Sequence, residues 1–153
     1  MISVSAVLQA RMNSTRLPGK SLLTLAGVPL IEHIINRLKA LTDLDHIILA
    51  IPDSYSEVFL IEKAKQLDIT IIKGPEEDVL KRFLIAADQT KTHHIVRVCG
   101  DNPLFDRQLM RSLIDTHLKQ NADYTITSDS IPLGTGTEVV RVNTLKQIAQ
   151  TTT

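Results

Sequence analysis

Apolar residues along this chain follow two alternating patterns. Short, near-continuous apolar runs occupy residues 4–9, 46–51, 70–73, 95–99, 124–127 and 138–142. Runs of this kind are what strands buried on both faces of a parallel sheet present. Between them, apolar residues recur at spacings of three and four. Residues 29–41 place Leu30, Ile31, Ile34, Ile35, Leu38 and Leu41 on one helical face. Residues 54–67 open with Ser54 and Glu57 at capping-box spacing. Residues 75–87 open with Pro75 and the acids Glu76, Glu77 and Asp78, which a helix dipole favours at its N-terminus. Residues 106–118 carry Leu109, Met110, Leu113, Ile114 and Leu118, with Asp106 placed as the N-cap. A last helix starts at Asn143 and stops at 150–153 after a short run, which reads as a truncation. The alternation predicts one α/β domain over residues 1–153, a three-layer α/β/α sandwich around a mainly parallel sheet.

Composition narrows the function. Seventeen basic and seventeen acidic residues cancel, and two Tyr, three Phe and no Trp offer little stacking surface. No nucleic-acid partner is expected on either count. No apolar run reaches the ~18 residues of a membrane span, so no membrane insertion is expected. The one cysteine, Cys99, excludes an intramolecular disulfide and a thiolate zinc site and fits a reducing, cytoplasmic setting. It continues a buried run and reads as a small core residue. The five histidines read as unclustered: His33 and His117 at helix borders, and the adjacent His93 and His94 on opposite strand faces.

Charge is nevertheless uneven. Arg11, Arg16 and Lys20 precede the first acidic residue, Glu32. They lie in a long polar loop, residues 9–20, directly after the first strand, where open α/β sheets bind ligands. The dinucleotide fingerprint fails there, because Gly19 is the only glycine of the three it needs. A P-loop fails by one residue, since Ser14 stands where its first glycine belongs. That reading stays open at this point, because Gly19-Lys20-Ser21 matches its end. An Arg/Lys clamp on a nucleoside triphosphate is the better fit, with planar guanidinium forks and a lysine point charge.

The segment Gln-Ala-Arg-Met-x-Ser-Thr-Arg-Leu-Pro-Gly-Lys at 9–20 resembles the signature of the SpsF-type spore-coat polysaccharide cytidylyltransferases, relatives of the CMP-KDO and CMP-sialic acid synthetases. Further blocks follow in order. These are Ala-Gly-Val-Pro-Leu at 26–30, Gly-Pro-Glu-Glu-Asp-Val-Leu-Lys-Arg-Phe at 74–83, and Arg-Val-Cys-Gly-Asp-Asn-Pro-Leu-Phe-Asp at 97–106. The resemblance implies a GT-A-like nucleotidyltransferase fold that binds CTP and Mg²⁺ and transfers CMP to an acidic sugar, with a homodimer possible. It implies that Arg11, Ser14, Arg16 and Lys20 hold the triphosphate and that Arg11, Arg16 and Lys20 act in catalysis. It further implies that the backbone from Leu8 through Ala10 to Arg11 faces the cytosine, that Asp78 and Arg82 lie near the nucleotide, and that Asp101 binds the metal. One departure stands out: many members carry an aspartate where this chain has Gly136, which leaves Glu138 as a weak candidate contact. Relatives are also longer, so catalytic incompleteness is expected. A nucleotide-binding module without turnover and another sugar nucleotidyltransferase are the alternatives.

Overall fold

A computed structural model describes residues 2–151. The six longer strands form one sheet: β1 (Val4–Gln9), β4 (His46–Pro52), β5 (Thr70–Gly74), β6 (His94–Cys99), β7 (Tyr124–Ile126) and β8 (Glu138–Arg141). Their order is β5-β4-β1-β6-β8-β7. The first four are parallel, whereas β8 runs antiparallel to both β6 and β7. Among the described residues four α-helices lie between these strands, α1 (Leu30–Lys39), α2 (Val58–Gln66), α3 (Val79–Thr90) and α4 (Arg107–Lys119), and α5 (Val142–Thr151) follows β8.

The continuous apolar runs are explained by a core on each face of the sheet. In β1, Val4, Ala6 and Leu8 point into one core with Ile31, Ile34 and Leu38 of α1, Leu60 of α2 and Met110 of α4. Val7 points into the other, with Phe83 and Ala86 of α3 and Val142 of α5. The expected three-layer arrangement follows. Among the described residues no helix is long and apolar enough to cross a membrane.

Several boundaries differ from the sequence expectation, each for a local reason. Residues 20–29 contain a 3-10 turn, Lys20–Leu22, and a small hairpin of β2 (Thr24–Leu25) and β3 (Val28–Pro29), which turns through Ala26 and Gly27 at φ 52° and 80°. Lys20 and Ser21 therefore do not open an α-helix, and the P-loop reading falls. Helix α3 begins at Val79, not Pro75. Asp78 is its N-cap, accepting from the Lys81 amide at 2.8 Å, while the carbonyls of Pro75 and Glu76 turn toward the Arg82 guanidinium. Asp106 caps α4 as expected, accepting from the amides of Gln108 and Leu109 at 2.8 and 2.9 Å.

The histidines are not all separate. His94 on β6 and His117 on α4 are both buried, with His94 Nδ1 2.9 Å from His117 Nε2 and His117 Nδ1 2.8 Å from Thr125 Oγ1. Local periodicity carries no sign of this pairing across 23 positions.

Candidate nucleotide site

Parallel strands deliver their C-terminal ends, and the loops that follow, to one edge of the sheet. Gln9 and Cys99 end adjacent strands in register, and the Gly100 amide donates to the Gln9 carbonyl at 2.8 Å. This approach needs a glycine: a Cβ at position 100 would lie 2.8 Å from the Gln9 oxygen and 2.9 Å from Ala10 Cβ. The loop after β1 and the loop after β6 thus lie against each other. Between them is a cavity of about 210 Å³ lined by Gln9, Ala10, Arg11, Ser14, Arg16, Lys20, Gly100 and Asp101, among others.

Arg11 and Arg16 are exposed and have no hydrogen bond or ion pair among the described residues. Lys20 is paired, its Nζ lying 2.5 Å from Asp101 Oδ2. The Gln9 side-chain oxygen is buried without a hydrogen-bond partner. Such an atom costs stability until a donor reaches it, and Gln9 is one of the residues around the cavity. Cys99 is half-buried and also lines the cavity, so it is not the core residue expected. Burial pushes its thiol up, away from thiolate chemistry at neutral pH.

The structure does not bring three of the expected residues into this cavity. Leu8 is fully buried in β1, paired on both sides with Leu49 and Val98. Asp78 uses a carboxylate oxygen for its cap. Arg82 is buried, and its guanidinium donates to the backbone carbonyls of Pro75 and Glu76. Burial and the charge of Arg11 lower its pKa from the ordinary arginine value.

A second cavity, of about 430 Å³, adjoins the first and shares Arg97 and Cys99 with it. Its walls include Thr127, Asp129, Leu133 and Glu138. Arg97 donates to Glu138, which also accepts from the Tyr124 hydroxyl. Burial works most strongly against the Arg97 charge, but the Glu138 bond and the charges of Cys99, Glu138 and Tyr124 together outweigh it and raise the Arg97 pKa. Glu138 is therefore already engaged by Arg97 and Tyr124. At position 136 a Cβ would lie 2.5 Å from Thr127 Oγ1 and 2.9 Å from Ile131 Cδ1, so the aspartate common in the resembling sequences would require both side chains to shift.

Among the described residues no group of three or more His, Cys, Asp or Glu side chains could hold a metal. Mg²⁺ needs only one or two carboxylates when phosphates and water complete its shell. Asp101, a half-exposed carboxylate on the wall of a cavity with two unpaired arginines, fits that limited role.

Comparison with known proteins agrees with this fold. Residues 5–152 match the Cytidylyltransferase family. The chain belongs to the cytidylyltransferases. It is 34% identical over 98% of its length to the spore coat polysaccharide biosynthesis protein SpsF of Bacillus subtilis (strain 168), covering 64% of that protein. It is 28% identical over 96% of its length to a 3-deoxy-manno-octulosonate cytidylyltransferase of Yersinia enterocolitica, covering 58% of it. A solved cytidylyltransferase from Leptospira borgpetersenii superposes with a TM-score of 0.93 at 25% identity, over 98% of this chain and 65% of that one. The fold also matches a CMP:2-keto-3-deoxy-manno-octonic acid synthetase, with a TM-score of 0.78 at 17% identity, over 97% of this chain and 78% of that one. This cytidylyltransferase chain thus spans about three fifths of the length of the curated relatives it matches.

Arg97 was not among the sequence candidates, although it lies inside a quoted motif, and Gln9 was expected only through its backbone, within the stretch 8–11. The signal for both side chains was their place near the C-terminal ends of β6 and β1.

Proposed function

We propose that this protein transfers the CMP group of CTP to an acidic sugar for surface polysaccharide synthesis and releases pyrophosphate. The observation that carries the reading is the pair of unpartnered arginines, Arg11 and Arg16, beside Lys20 and opposite Asp101 at the C-terminal edge of the parallel strands. Loose cations in a small polar cavity match a triphosphate in charge and in donor geometry. The names of the relatives support CTP as the nucleotide and a sugar acid as the acceptor.

In the reaction a sugar hydroxyl oxygen forms a bond to the α-phosphorus of CTP. The bond from that phosphorus to the bridging oxygen of pyrophosphate breaks, and the hydroxyl proton passes to solvent water. Arg11, Arg16 and Lys20 stabilise the charge that gathers on the departing pyrophosphate, and Ser14 offers it a hydroxyl. Cations gathered in one cavity suit this task because the chemistry asks chiefly for positioning and charge neutralisation. Asp101 would hold Mg²⁺, which when bound neutralises phosphate charge. The larger cavity takes the acceptor, with Arg97 placed at the boundary between acceptor and phosphates.

Binding rather than turnover tests this best, since the chain spans only part of its relatives' length. Arg16→Ala should lower CTP affinity about ten- to a hundredfold, the value of a charge-assisted hydrogen bond, while sparing cytidine. Isothermal titration with both ligands decides it. Equal loss for nucleoside and triphosphate refutes the clamp.

A further inference from the structure

The loop after β1 closes on one peptide group. The Met12 carbonyl accepts from the amides of Ser14 at 2.9 Å and Gly19 at 2.8 Å, so it gathers both ends of the segment that carries Arg16. The Met12 amide in turn donates to both oxygens of Glu57, at 3.0 and 3.2 Å. Glu57 lies 45 residues further on, in the 3-10 turn Tyr55–Glu57 that leads into α2. It is fully buried.

Nothing about the helix start requires this. A capping-box glutamate would reach back to the Ser54 amide, in a position that stays solvated. Glu57 instead turns toward the nucleotide loop and gives up its water to do so, a costly arrangement for a carboxylate. Burial pushes its carboxyl above the usual range, against the opposing pull of the Met12 amide and the Ser56 hydroxyl. The Glu76 charge acts with the burial, and the Arg82 charge acts against it. The loop is thus tied on both sides: Lys20 to Asp101 on the β6 side, and Met12 to Glu57 on the β4 side.

We propose that Glu57 is a positioning residue for the triphosphate. By holding the Met12 amide it sets where Arg11, Ser14 and Arg16 stand in the cavity, without touching the nucleotide itself. The proposal rests on the clamp reading above.

Charge and geometry predict opposite signs. As a mere anion near a cationic site, Glu57 would repel CTP, and removing it would tighten binding. As a positioning residue, its removal loosens the clamp. Glu57→Ala should lower CTP affinity about tenfold or more, the scale of one lost charged hydrogen bond, with cytidine affinity nearly unchanged. The Met12 amide should lose its protection from hydrogen exchange. Glu57→Asp keeps the charge but withdraws the carboxylate by one methylene, so it should show the same selective loss. Glu57→Gln keeps one carbonyl acceptor in place and should recover most of the affinity. Urea unfolding of each variant identifies those that fold, and Asp and Gln decide the matter if Ala does not. Arg16→Ala measured alongside separates the two ideas: unchanged CTP affinity in that variant refutes the clamp itself. If Arg16→Ala weakens CTP while Glu57→Asp binds it as tightly as the natural protein, or loses cytidine in equal proportion, Glu57 is not a positioning residue.

Discussion

The Lys20–Asp101 pair makes a prediction with opposite outcomes in the presence and absence of metal. Its atoms are 2.5 Å apart, but the side chains are 31% and 46% exposed. An ion pair that solvated is worth about 0–1 kcal/mol. A lysine bond to phosphate is worth about 1.5–3 kcal/mol, so Lys20 gains by exchanging Asp101 for CTP. Asp101→Asn removes both the competitor and a negative charge beside the phosphates. In EDTA, CTP affinity should therefore rise, by up to about fivefold for the full 1 kcal/mol. With Mg²⁺ present the same variant should lose the metal-dependent gain, because a neutral amide is a poor ligand for a hard dication. Asp106→Asn is the matched control. Its carboxylate caps α4, and asparagine caps about as well, so both titrations should match the natural protein. The assay is calorimetric titration of CTP with and without Mg²⁺ at constant ionic strength, since solvated charges are screened by salt. Weaker CTP binding by Asp101→Asn in EDTA would refute the competition. Loss of the metal effect in Asp106→Asn would assign the wrong carboxylate.

Three further outcomes follow from the packing. Burial, with the His117 charge next, pushes His94 down to about 4, against about 6.5 in an unfolded chain. The unfolded state then binds the proton more tightly, so the contribution is complete above pH 6.5 and is lost as pH falls toward 4. Urea midpoints over that window should drop less steeply in His94→Gln than in the natural protein, and equal slopes would remove His94 from the account. Gly100→Ala should cost about 1–3 kcal/mol by overpacking against the backbone of β1, read as a lower urea midpoint. An unchanged midpoint would refute the close approach. Gly136→Asp, which introduces the aspartate of the resembling sequences, should destabilise by about the same amount and not strengthen ligand binding, because Thr127 Oγ1 is in the way and is itself bonded to Thr137. A gain in either property would show that the pocket can open there.

The alternation of strand and helix was legible because it is local. Apolar runs such as 46–51 mark buried strands, and the three-and-four spacing of Ile31, Ile34, Ile35 and Leu38 marks a helix face, wherever the chain goes afterwards. The Asp106 cap was legible for the same reason: donor and acceptor are two and three residues apart. So was the place of the basic loop at the C-terminal edge of the parallel strands, since Arg11, Arg16 and Lys20 follow directly on the first strand. The expected start of α3 at Pro75 failed because Arg82 draws the carbonyls of Pro75 and Glu76 out of any helix. Glu57 has the spacing of a capping residue, yet its partner is Met12, which β1 and β4 bring within reach only once they pair. The Lys20–Asp101 bond and the need for glycine at position 100 likewise depend on β6 lying next to β1, and the His94–His117 contact depends on α4 packing back against β6 and β7. Sequence patterns record what each segment buries. Strand order decides which buried or charged groups meet, and in this protein those meetings build the walls of the site.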